Sequence, residues 1–242
     1  MLDNVKIDDI LFLDIETVPK SANYSDLDLY EQELWEEKKG KHKTEDDSAA
    51  DYYFNNAGIF AEFGKVICIT VGRLSQTGMF EEFELKSFYG DNESKLLQDF
   101  CVYLQQELKK RRNLTLCGHN IREFDVPYIC RRLLINNLKL PEYFEHLQTK
   151  KPWEAGLLDS MDFWKFGDFK NYISLKLLAF CLGIPSPKDD ISGKDVGKVY
   201  WQEQGLERIK TYCQKDVLTV AQIVLKLKGL SLISESNVKI NA

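Results

Sequence analysis

Asp14 and Glu16 interrupt the apolar run Leu11-Phe-Leu-Asp-Ile-Glu-Thr-Val-Pro19 at positions where a buried strand carries Val or Ile. Strand side chains alternate between faces, so two carboxylates two residues apart point the same way and lie close together. Like charges on one half-buried face are costly unless something positive sits between them. Either a divalent cation supplies that charge, or the strand lies at a sheet edge and both acids face water. Asp125 follows the end of a second apolar stretch, Leu114-Thr-Leu-Cys-Gly-His-Asn120, and Asp216 lies in a C-terminal helical segment one turn after Tyr212. Asp125, standing before Val126-Pro127, also reads as a plain helix cap. Asp216, mid-helix beside an apolar stripe, needs a partner. As one set, Asp14, Glu16, Asp125 and Asp216 offer only oxygen ligands, which suit Mg2+ or Mn2+; the lack of a His/Cys cluster argues against zinc. Two such ions roughly 4 Å apart activate a water and stabilise the leaving oxygen in phosphodiester hydrolysis. Tyr212 is placed to aim that water. No residue of the set is a covalent nucleophile.

The elements that must position these side chains alternate between strand and helix. Lys65–Val71 is almost continuously apolar, as a central strand is, and Phe80–Phe88 alternates as a half-exposed antiparallel strand does. With the first strand they form a meander. Asn92 or Ser94 starts a helix whose Leu96, Leu97, Phe100, Tyr103, Leu104 and Leu108 form one stripe, ending in the basic run Lys109–Arg112. Short strands are expected at Leu114–Asn120 and from Leu157, where Asp159 or Asp162 caps the next turn. Helices follow at 125 onward, 175–182 and about 206–230, the last with Ile209, Cys213, Val217, Val220, Ile223 and Val224 as its core stripe. Between the first two strands, residues 21–60 read as a helical and loop insertion: a helix at about 26–39, a charged loop containing His42, and an aromatic segment, Tyr52–Phe63, that docks the insertion on the core or stacks bases. His119 reads as a satisfied turn histidine, and Asn120 as a residue holding that turn.

A chain of 242 residues with 44% apolar content can bury one well-packed domain with elaborations. Its six cysteines are scattered, without a Cys-x-x-Cys pair, which fits reduced core thiols in a cytoplasmic protein. The N-terminal residues lack a signal-peptide pattern and no apolar run is long enough to span a membrane. A net charge of −6 argues against a nucleic-acid coating protein, yet it permits an enzyme that grips only a strand end.

Three segments carry a family resemblance. Asp14-Ile-Glu-Thr-Val-Pro19, His119-Asn-Ile-Arg-Glu-Phe-Asp125 and Tyr212-Cys-Gln-Lys-Asp216 resemble, in order, the three motifs of the DEDD exonucleases in their tyrosine-bearing (DEDDy) subclass. They are most similar to the proofreading domain of family B DNA polymerases. Ala61-Glu-Phe-Gly-Lys-Val-Ile-Cys-Ile-Thr-Val-Gly72 and the insertion around Leu34-Trp35 resemble stand-alone bacterial members of that group. The resemblance implies one exonuclease domain over 1–242 with a ribonuclease H-like α/β fold: a mixed sheet, antiparallel meander then parallel strands, flanked by helices. It implies hydrolysis from the 3′ end of single-stranded nucleic acid, DNA before RNA, to 5′-mononucleotides with two divalent cations. By matched position, Asp14 would bridge both ions, Glu16 and Asp216 would hold the water-bearing one, and Asp125 would support the other. Tyr212 would orient the water, and Thr17, Asn120 and Phe124 match positions that hold or wedge the terminal nucleotides. The rival reading is a catalytically silent module on the same fold that binds a strand end or a protein; a third is a small-molecule phosphodiesterase.

Overall fold

The computed structural model describes residues 5–40, 48–77, 80–145, 147, 156–168, 170–185 and 190–241. The expected charged loop around His42, and residues 148–155 and 186–189 of two expected connections, lie outside these. In chain order the elements are β1 (Ile10–Pro19), α1 (Leu29–Gly40), α2 (Ala49–Asn56), β2 (Gly64–Thr77), β3 (Phe80–Tyr89), α3 (Glu93–Lys110) and β4 (Thr115–Gly118). There follow α4 (Asp125–Ile135), α5 (Glu142–Glu145), β5 (Leu157–Asp159), α6 (Ser160–Lys165), α7 (Leu175–Cys181), α8 (Val196–Trp201), α9 (Leu206–Leu227) and β6 (Val238–Asn241).

The strands form one sheet in the order β5-β4-β1-β2-β3-β6. β1, β2 and β3 pair antiparallel as a meander, and β4 and β5 extend it from β1 in parallel. This is the ribonuclease H-like α/β arrangement expected from the sequence, with helices on both faces. β6 adds an unexpected strand, pairing parallel with the outer edge of β3. No described helix is long and apolar enough to cross a membrane.

β1 takes the centre because both of its faces are apolar. Leu11, Leu13 and Ile15 join one core with α3 and α4, while Ile10 and Phe12 join another with Val217, Val220, Ala221 and Val224 of α9. Asp14 and Glu16 share the parity of Ile10 and Phe12, which puts them on the face that α9 covers. A bulge between Glu16 and Thr17 breaks the β1–β2 register at this point, a device that re-aims side chains beside functional sites.

Gly72 of β2 sets the seat of α9. A Cβ there would lie 2.5 Å from Phe83 Cζ and 2.7 Å from Val217 Cγ1, so only glycine lets the helix approach this closely. On the opposite face, buried Glu93 accepts bonds from Arg132 Nε at 2.8 Å and from the Val66 N–H at 2.7 Å. That pair joins α3, α4 and β2. In α3, Asn92 provides the cap through its side chain, and buried Glu107 takes Lys110 and Arg111 of the basic run.

Between β1 and β2, α1 and α2 fold around Trp35, which is enclosed by Tyr52, Tyr53, Phe60 and Phe63 at ring-centre distances of 5.0–5.9 Å. The aromatic segment therefore docks this insertion, as one of its two readings held. Tyr30 and Leu34 of α1 are exposed, as on a surface helix. A single turn of α1 reaches the core, and Trp35 fills it.

Candidate active site

Two strand carboxylates, a helix start and one face of α9 converge at the end of β1. The Asp14 and Glu16 carboxylates and the Cys213 thiol present atoms all within 4.8 Å of one another. Asp125 is the first residue of α4, and its carboxylate accepts the Ile15 N–H at 3.2 Å. That amide lies beyond Phe12, the last β1 residue to pair with β4. The acid thus satisfies the backbone where β1 outruns its neighbour, as well as opening a helix. Asp216 and Tyr212, one turn apart on α9, hydrogen-bond each other through their side chains. Neither Asp125 nor Asp216 belongs to the 4.8 Å triad, yet both carboxylates raise the pKa values of Asp14 and Glu16.

These charges are poorly matched by the protein alone. Burial, then mutual repulsion, holds the Asp14 and Glu16 carboxyls well above the usual carboxylate range. Burial also pushes Asp125 up to about 7. Among the described residues no lysine or arginine forms an ion pair with Asp14, Glu16 or Asp125. This oxygen-rich set, with the carboxyl pKa values of Asp14, Glu16 and Asp125 raised, fits a hard divalent metal ion. The Cys213 thiol, its pKa pushed up by burial, donates to Asp14. Tyr212 is likewise held as the neutral phenol by burial and by Asp216, Glu16 and Asp14.

The remaining sequence candidates surround this cluster without joining it. Thr17 hydrogen-bonds the Tyr128 hydroxyl, which in turn donates to the Gly58 carbonyl at 2.8 Å. Phe124 packs its ring 5.4 Å from that of Tyr128. Asn120 adopts φ 62°, a left-handed conformation that asparagine tolerates, and its N–H donates to Asp159. Backbone geometry therefore explains this residue type in the turn. His119 is satisfied on both sides, by Ser160 Oγ at 2.9 Å and the Ile173 carbonyl at 2.8 Å. A carbonyl only accepts, so Nε2 carries the proton. Beside Glu16, Thr17 and Phe124 opens a cavity of about 540 Å³ whose far walls come from α2 and from the start of α8.

Residues 59–234 match a family described as predicted 3′-5′ exonucleases related to the exonuclease domain of PolB. The chain belongs to this family. Asp125, Tyr212 and Asp216 lie inside the matched stretch of the exonuclease family, whereas Asp14, Glu16 and most of the insertion precede it. Among solved structures the chain is similar to the family B DNA polymerase from the hyperthermophilic archaeon Pyrobaculum calidifontis, at 14% identity and a TM-score of 0.47. The likeness covers 89% of this chain and 24% of that polymerase, so the chain spans about a quarter of its length. No curated protein matches the sequence.

In this exonuclease family member, two contributors carry no local signal. Cys213 looks like one more residue of the α9 core stripe, and only the fold brings its thiol under Asp14. Asp159, expected at most to cap a turn, accepts three backbone N–H groups, from Asn120, Arg122 and Met161, and so holds the turn that leads into Asp125.

Proposed function

We propose that this protein is a metal-dependent 3′-to-5′ exonuclease that shortens single-stranded nucleic acid, DNA in preference to RNA, to 5′-mononucleotides. The observation that carries the reading is the convergence of Asp14, Glu16, Asp125 and Asp216, with the carboxyl pKa values of the first three raised by burial and by neighbouring acids. Membership in a family of predicted 3′-5′ exonucleases supports it. The four acids would hold two divalent cations, Mg2+ or Mn2+, whose charge would offset the raised carboxyl pKa values of Asp14, Glu16 and Asp125. When bound, such ions activate a water and stabilise the leaving oxygen.

The rest is done by the chain's own groups. Tyr212, kept as a phenol, donates to Asp216 and offers its oxygen lone pairs to a water, which makes it an orienting group rather than a base. Thr17, fixed through Tyr128, and Phe124, beside the cavity, meet the terminal nucleotide; Asn120 shapes the turn between them. The whole of 1–242 serves as one exonuclease domain, with residues 21–60 as its insertion.

The test is a 5′-labelled oligonucleotide incubated with the protein and Mn2+. A ladder of shortened products is expected, and none with Asp216→Ala. Binding without any ladder under varied conditions would point to the silent module instead, and hydrolysis confined to dinucleotides to a small-molecule phosphodiesterase.

A further inference from the structure

One soft donor stands among the hard ones. The six cysteines are scattered along the sequence, yet the fold brings Cys213 of α9 to the acid pair of β1. Its sulfur and one oxygen each of Asp14 and Glu16 all lie within 4.8 Å of one another, and Cys213 Sγ is 3.3 Å from Asp14 Oδ2. Ligand atoms around a tetrahedral ion, with bonds of about 2.0–2.3 Å, stand about 3.3–3.8 Å apart. The three groups therefore need only a short inward movement to share one cation. Cys213 and Glu16 are both buried, which limits the water that would compete for the ion.

A thiol changes which ion this corner prefers. Mg2+ and Mn2+ favour oxygen ligands, whereas Zn2+ takes oxygen and sulfur and stands above Mn2+ in the general order of divalent affinities. Behind Cys213 lies Cys68 of β2, opposite Glu16 in the β1–β2 register, hydrogen-bonded to the Cys213 thiol and 3.6 Å from Thr70 Oγ1. This second buried thiol is placed to donate to a Cys213 thiolate and hold it toward an ion, as the outer partners of metal ligands do.

We propose that Asp14, Glu16 and Cys213 form a Zn2+ site in which the sulfur is a direct ligand and Cys68 supports it. On binding, the Cys213 S–H bond breaks, a Zn–S bond forms and the proton passes to solvent, with no change of oxidation state; a coordinated thiol loses its proton in this way. Zn2+ then occupies two carboxylates that the hard ions need. The site rests on side-chain geometry. Its consequence, inhibition by Zn2+ of a reaction run on Mg2+ or Mn2+, rests on the exonuclease reading.

Co2+ reports the sulfur directly, because a cobalt–thiolate bond gives a near-ultraviolet charge-transfer band that oxygen ligands do not. Titration of the wild-type protein with Co2+ is expected to raise this band, and an equimolar amount of Zn2+ to bleach it. Cys213→Ser, which puts oxygen in place of sulfur, is expected to lack the band while its melting temperature still rises with Mn2+. Its affinity for Zn2+, measured against a chromogenic chelator, should fall by more than about tenfold, and that of Cys68→Ala by about tenfold, the lower end for an outer partner. Glu16→Gln is expected to need at least about tenfold more Co2+ for the same band, and it decides the matter if Cys213→Ser does not fold. In the active protein, Zn2+ should arrest the Mn2+-dependent ladder. No band in the wild type, or an undiminished band in folded Cys213→Ser or in Glu16→Gln, would overturn the proposal. A band in a protein that cleaves no oligonucleotide would uphold the site and remove the exonuclease reading.

Discussion

The Cys213 thiol lies 3.3 Å from Asp14 Oδ2 and 3.5 Å from the Asp14 carbonyl, joining α9 to β1 at the acid cluster. With its pKa pushed up by burial and by the neighbouring Cys68, the thiol donates to Asp14, whose carboxyl pKa is raised by burial and then by Asp125 and Asp216. Cys213→Ala should therefore leave the fold intact and raise the Mn2+ concentration for half-maximal activity by more than about tenfold, the value of one hydrogen bond to a charged group. Cys213→Ser should recover most of that loss. Identical metal titrations for wild type and Cys213→Ala would reduce the thiol to packing.

Protons and cations compete for the same carboxylates, which fixes the sign of a pH effect. Asp14 and Glu16 titrate well above their usual range in the folded chain, and Asp125 near 7, whereas in the unfolded chain such groups titrate near 4. Between those values the folded state binds more protons than the unfolded one, so stability falls as pH rises. In EDTA the loss should be about 1.4 kcal/mol per pH unit for each proton held in excess. Saturating Mg2+ or Mn2+ should flatten it, because the ion then supplies the charge. Asp14→Asn should melt no lower than wild type in EDTA at pH 8, yet should respond little to metal. Melting temperatures that climb with pH in EDTA would contradict the charge balance.

Tyr212 separates orientation from metal holding. Its phenol is neutral and hydrogen-bonded to Asp216, so removing the oxygen takes away an aiming group and leaves every carboxylate in place. Tyr212→Phe should lower kcat by roughly 100-fold, the lower end of what a positioned proton-handling group contributes, while the Mn2+-induced rise in melting temperature stays as in wild type. A variant that loses the Mn2+ response would show that the hydroxyl supports the metal site itself.

How much of this could be read from the chain follows from the range of each interaction. Period-two alternation placed Asp14 and Glu16 on one face, and the four-residue spacing placed Tyr212 and Asp216 together; both are local rules. Asp125 was legible because it follows a strand end. β6 was not, since Val238-Lys-Ile-Asn is mostly exposed and is a strand only because it pairs with the β3 edge. Nor was the cavity beside Glu16, whose walls at Asn55 and Gly197 stand about 140 residues apart in the chain. Glu93 and Arg132 carry nothing in their local sequence to pair them.

Gly72 links packing directly to chemistry. A methyl group at this position would collide with Phe83 on one side and with Val217 on the other. Gly72→Ala should cost about 1–3 kcal/mol, the range for overpacking. Val217 directly follows Asp216, so any retreat of α9 also carries that carboxylate away from Asp14 and Glu16. Activity at a temperature where the variant is fully folded should therefore drop by more than tenfold, as small displacements of positioned groups do. Val217→Ala vacates the volume on the α9 side, and residues in contact couple non-additively. The double variant should be more stable than the sum of the two single losses and should regain part of the activity. Strict additivity, measured by thermal melts of all four proteins, would mean that Phe83 rather than α9 gives way, and activity would then survive Gly72→Ala alone.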